Sequence, residues 1–169
     1  SDTVVPIITS EDIQKKEILR SNHPWHFQAE QVPDFAFATS KKYLWDGTSV
    51  QTASSNDRRV FVSSAYPENY IQFNLAAKMS REVIGLYPEQ FIPASFPFPK
   101  ITAISAGESY GVGMEYPMIT NCRDFTDTLG MKIVLTHEII HNYFPFHIMT
   151  NESDYGFMDE GLTDFFEVQ

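Results

Sequence analysis

LTHEIIHNYFPF, residues 135–146, sets two histidines four positions apart around a glutamate and closes on a proline. Residues four apart on a helix share a face, so the imidazoles of His137 and His141 project together. Two nitrogen donors placed in this way suit a tetrahedral zinc ion. Glu138 stands one position on from the first histidine, roughly 100° around the helix. From there its carboxylate can take a proton from water beside the metal without ligating the metal, which is the task of a general base. The preceding MKIVL is apolar and helix-compatible, so a helix is predicted from about Thr126 to near Pro145.

The motif alone also fits an ordinary helix that happens to hold two histidines, and the residues downstream separate the two readings. Eighteen residues lie between His141 and Glu160, which opens a second helical pattern in DEGLTDFFEV. A carboxylate at Glu160 completes a set of two histidines and one glutamate, leaving a fourth position for water. Ligating histidines commonly donate their other ring N–H to a carboxylate. Asp159, adjacent to Glu160, and Asp164, one helical turn beyond it, are candidates for that part. The alternative for both is charge at a helix N-terminus complementing the macrodipole.

Composition narrows the function classes. The 169 residues carry 12 Lys plus Arg against 22 Asp plus Glu, a net charge of −10. That balance argues against nucleic-acid binding, which needs clustered cations for phosphate contacts. Lys15-Lys16, Lys41-Lys42 and Arg58-Arg59 read as solvated surface pairs. Cys122 is the only cysteine. No intrachain disulfide or cysteine-based metal site can form, and the residue reads as a small buried hydrophobe. No apolar run is long enough to span a bilayer. The N-terminal SDTVVPIITSEDIQ has neither the basic region nor the apolar core of a signal peptide, and the compartment stays open.

Along the chain the first fifty residues read as β structure, with Phe35 and Phe37 on one face, and 45–59 as a polar linker or long loop. A strand is predicted at 60–66, then a helix from about Glu68 to Leu86 that buries Phe73, Ala76, Ala77, Ser80 and Ile84. YPEQFIPASFPFP is predicted irregular. KITAISA, 100–106, reads as a strand. GVGMEYP, 111–117, reads as an edge strand, because Pro117 cannot donate to a ladder. His23 and His26 are predicted at the surface, His147 in a loop, and Tyr143 and Tyr155 in packing roles.

HEIIH, the eighteen-residue gap and the glutamate of MDEGLTDFF together resemble the gluzincin metallopeptidases of the aminopeptidase N type. GVGMEYP resembles the exopeptidase motif of the same family, in its tyrosine-proline variant, and VPDFAFATSKKYLWDG looks like the last strands of the family's N-terminal β domain. The resemblance implies an α+β chain in two parts. Residues 1–47 would end an all-β domain, and 48–169 would begin a thermolysin-like catalytic domain with a mixed sheet and zinc-binding helices. It implies one Zn²⁺ held by His137, His141 and Glu160, with Glu138 as general base. Glu115 would receive the α-ammonium of peptide substrates with a free N-terminus, with Gly113 and Met114 beside it on the substrate strand. Val112 and Tyr116 depart from the motif's usual glycine and asparagine. The family's oxyanion-stabilising tyrosine would lie beyond Gln169, in a C-terminal part of the same protein. The 169-residue piece is therefore expected to bind zinc and to be weak as a peptidase. Two other readings use the same residues: a zinc endopeptidase in which Glu115 is only structural, and a non-catalytic scaffold that binds peptides in its groove.

Overall fold

The computed structural model describes residues 27–52, 58–92, 94–105 and 112–168, without the side chains of 87–90. The readings of Lys15-Lys16, His23, His26 and Gly111 lie outside the described residues. The chain divides into two units, Ser1–Val32 and Pro33–Gln169, and the second holds all the regular elements described.

β1 (Tyr43–Gln51) and β2 (Arg59–Pro67) pair antiparallel, with Tyr43 opposite Pro67 and Gln51 opposite Arg59. The stretch predicted as a linker thus supplies the end of one strand and the start of the next. Its polar composition misleads because β1 is an outer strand with mostly exposed side chains. Backbone pairing, not apolar alternation, makes it a strand. It also runs across position 47/48. Residues 27–42, predicted as β structure, form no regular strand, and Phe35 and Phe37 are 52% and 71% exposed. Aromatic alternation makes a strand only where a neighbouring strand supplies the hydrogen bonds.

A 3-10 turn at Ile71–Leu75 leads into α1 (Ala76–Gln90), so the first helix starts and ends later than predicted. Its predicted inner face is correct: Phe73, Ala76, Ala77, Ser80 and Ile84 are all buried. β3 (Lys100–Ile104), β4 (Gly113–Tyr116) and β5 (Ile119–Cys122) complete a five-stranded sheet in the order β1-β2-β3-β5-β4. β2, β3 and β5 run parallel and the two outer strands antiparallel to their neighbours, which makes the fold α+β with a mixed sheet. β4 is an edge strand as expected, with Pro117 in the turn that follows it. Arg58 and Arg59 are exposed, as expected, but Arg58 is also tied down. Its guanidinium donates to the carbonyls of Phe96, Pro97 and Phe98, tying the proline-rich stretch to the start of β2.

α2 (Thr128–Ile140) is capped by Asp127, whose carboxylate accepts the Gly130 N–H at 2.6 Å. Met131, Leu135 and Ile139 are buried, and Met131 and Leu135 join Tyr66, Phe73, Ala76, Ala103 and Cys122 in one core. The helix stops at Ile140 with His141 as its C-cap, short of the predicted end, and turns follow to Met149. α3 (Glu160–Glu167) packs against α2, and Phe166 stacks on Phe144 with centroids 5.7 Å apart. Tyr143 is buried against Phe96, whereas Tyr155, predicted to pack, is 55% exposed. Among the described residues no helix is long and apolar enough to cross a membrane.

Candidate metal centre

Three elements meet at one end of α2. Met131, Leu135 and Glu138 recur at helical spacing, so Glu138 lies on the stripe that faces the sheet and is buried. One position back on the helix, His137 and His141 share the neighbouring face. His141 keeps helical dihedrals at the C-cap (φ −57, ψ −20), which is why the pair still converges where the helix ends. Glu160, at the first position of α3, comes in from the other side.

The two Nε2 atoms are 3.1 Å apart, and Glu160 Oε2 lies 3.2 Å from that of His137 and 3.7 Å from that of His141. Donors about 2.0–2.1 Å from a tetrahedral zinc ion are separated by roughly 3.3–3.4 Å. The three atoms fit that spacing. The neighbours of the other ring nitrogens fit as well. His141 Nδ1 is 2.6 Å from Asp159 Oδ1 and 3.0 Å from the Phe144 carbonyl, and His137 Nδ1 is 2.6 Å from Glu167 Oε2. With the ring protons on Nδ1, facing these acceptors, both Nε2 atoms would present lone pairs to each other and to a carboxylate. A cation is what such a trio of acceptors accommodates.

Asp159 makes no side-chain capping bond to α3. Burial pushes its carboxyl above the usual range, and the adjacent His141 pulls it back. Asp164 lies 3.4 Å from His137 Nδ1, farther than Glu167 and largely exposed. Glu167 was not among the residues singled out from the sequence. Its signal was present: 160, 164 and 167 fall on one helix face at the i, i+4, i+7 spacing.

β4 brings the remaining candidates. Ligand atoms of Glu115, His141 and Asp159 lie within 4.8 Å of one another. Gly113, two positions before Glu115 on the same strand, has Glu138 where a side chain would otherwise stand. A Cβ there would stand 1.9 Å from Glu138 Oε1 and 2.7 Å from its Cδ. Met114 alternates to the opposite side, where it lines a groove of about 470 Å³ with Tyr43, Ile104, Tyr116 and Ile119. Glu115 and Gly113 therefore join the cluster and Met114 does not. His147 is exposed in a turn.

Glu138 Oε2 is buried without a hydrogen-bond partner among the described residues. In the metal-free protein, burial first, then the charges of Glu115, Glu160, Glu167 and Asp159, push its carboxyl from the ordinary 4.5 up to about 9. A dication bound beside it would reverse this by favouring the carboxylate. Without one, the folded chain keeps a proton that the unfolded chain releases near 4.5, so stability falls as pH rises from there towards about 9. Melting temperature against pH in the presence of a chelator should show that decline, and Glu138→Gln should flatten it. A slope that survives the substitution would refute the assignment.

No protein-family model and no curated protein matches the chain. Among solved structures, its fold is similar to that of aminopeptidase A from Legionella pneumophila, determined in complex with aspartic acid. The TM-score is 0.63 at 14% identity, over 74% of this chain and 16% of that one.

Proposed function

We propose that the chain is part of a zinc-dependent aminopeptidase that hydrolyses the N-terminal peptide bond of peptides. Residues 1–47 would end a β domain and 48–169 belong to the catalytic domain, the boundary falling inside β1. The observation that carries the reading is the carboxylate of Glu115, held on an edge strand within reach of the histidine–glutamate cluster. An endopeptidase needs no counter-charge there, whereas an exopeptidase must hold a cation at a set distance from the scissile carbonyl. The likeness of fold to an aminopeptidase agrees with it.

His137, His141 and Glu160 would hold the ion, their two nitrogens and one oxygen forming a donor set suited to zinc. When bound, zinc supplies Lewis acidity at the scissile carbonyl and makes water a nucleophile near neutral pH. Glu138 takes a proton from the attacking water on its carboxylate and returns it to the leaving amine. Glu115 binds the α-ammonium and fixes which bond is presented. The edge of β4 offers its backbone to the peptide. Asp159 and Glu167 orient the two imidazoles through their Nδ1 atoms.

The test uses the full-length protein that carries this chain. Purified protein should contain near-stoichiometric zinc and cleave leucine anilide, and N-acetylation of the substrate should abolish turnover. His141→Ala should lower zinc affinity by more than about 100-fold, the upper end of the loss when only an outer partner of a ligand is removed. Cleavage indifferent to acetylation would identify an endopeptidase. Absence of zinc at neutral pH would identify a binding scaffold.

A further inference from the structure

Asn142, immediately after the second histidine, is fully buried and takes no part in the proposed chemistry. Its Oδ1 accepts the N–H of Met118 at 2.9 Å. Its Nδ2 donates to the carbonyls of Glu138 and Ile139 at 3.4 and 3.3 Å. One side chain thus joins the carbonyl of the candidate base to the turn that ends the strand carrying Glu115. Tyr116, the last residue of β4, pairs with Ile119, the first of β5, so Pro117 and Met118 form a two-residue connection between them.

That connection is strained. Met118 has φ 66, the left-handed region where glycine is the usual occupant of a turn's third position. A non-glycine residue persists there only when its surroundings over-determine it. Here they do so on both sides. Asn142 takes the Met118 N–H, Thr102 N–H donates to the Met118 carbonyl at 2.9 Å, and the Met118 side chain is buried. The turn cannot shift along α2 without leaving a buried donor unpaired.

We infer that Asn142 is a positioning residue that sets the separation of Glu115 from Glu138, and through it the preference for a free N-terminus. This rests on the aminopeptidase reading. Glu115 contributes binding made equally in the ground and transition states, whereas Glu138 acts on the chemical step. Loosening the turn should therefore weaken substrate capture and spare turnover. The hydrogen bonds of the Asn142 side chain go to Met118, Glu138 and Ile139 and not to His137 or His141, so zinc should stay bound.

The experiment compares Asn142→Ala with wild type in the full-length protein. KM for leucine anilide should rise on the order of tenfold, as expected for one buried hydrogen bond, with kcat within about threefold and zinc content unchanged. Hydrogen exchange at the Met118 amide should quicken by at least about tenfold while the amides of α2 near Leu135 keep their protection. Unchanged KM, or kcat falling together with zinc content, would overturn the inference. Should the alanine variant not fold, Asn142→Ser is read in the same way. The wild-type Met118 amide supplies a check that needs no variant: it should exchange slowly, and free exchange there refutes the clip. Wild-type enzyme that ignores substrate acetylation would instead refute the aminopeptidase reading, leaving the exchange result to stand on its own.

Discussion

Glu138→Gln is expected to leave zinc binding intact and to lower turnover of leucine anilide by about 10²- to 10⁴-fold, the contribution of a positioned general base. The two halves of this result come from separate features of the site. The metal's candidate donors are His137 Nε2, His141 Nε2 and Glu160 Oε2, and Glu138 is not one of them. Glutamine is nearly isosteric and fits the same buried slot, so the substitution removes proton transfer without opening a cavity. The neutral amide should also make the metal-free protein more stable near pH 8, because it ends the confinement of a carboxyl among four others. An inactive variant that is more stable than its parent is a signature that a general loss of folding cannot imitate. Kinetics and zinc analysis on the same preparation check it, and turnover comparable to wild type would remove Glu138 from the mechanism.

The second large effect is expected from the smallest substitution. Gly113→Ala would place a methyl group 1.9 Å from Glu138 Oε1 and 2.7 Å from its Cδ, distances no packing tolerates. The strand cannot retreat easily, because Gly113 pairs with Cys122, which is fully buried. The carboxylate is the part that must move. A displacement of about 1 Å in a reacting group costs on the order of 10² in rate. Zinc content should be unaffected, since the three atoms nearest the added methyl all belong to Glu138, which is not a candidate donor. The family resemblance places Gly113 beside Glu115 on the substrate strand. The structure shows the space there to be occupied from within, by the side chain of Glu138. Full activity in Gly113→Ala would mean that the carboxylate works from a different rotamer.

Much of this was legible from sequence because helical periodicity is a local property. Two histidines at i, i+4 must share a face whatever the helix packs against, and the inner face of α1 was readable in the same way. The strands were less legible. β1 is polar and lies at an edge, so little in its composition marks it, and Phe35 and Phe37 alternate without a neighbouring strand to pair with among the described residues. Arg58 is the exposed charge it looked like, but its partners were hidden because they are carbonyls nearly forty residues downstream.

By itself the sequence determined which residue types are available to one helix face: two nitrogens, a carboxylate beside them, and a later helix that begins with an acid. Those are matters of spacing along a chain, and 3.6 residues per turn settles them. Only the tertiary structure decided which side of β4 faces α2, bringing Gly113 and Glu115 in and turning Met114 out. It alone decided that Glu167 rather than Asp164 sits closest to His137, and that Asn142 grips Met118. The physical reason is common to all three. A strand has two equivalent faces and a helix a full circle of directions, and long-range packing selects among them.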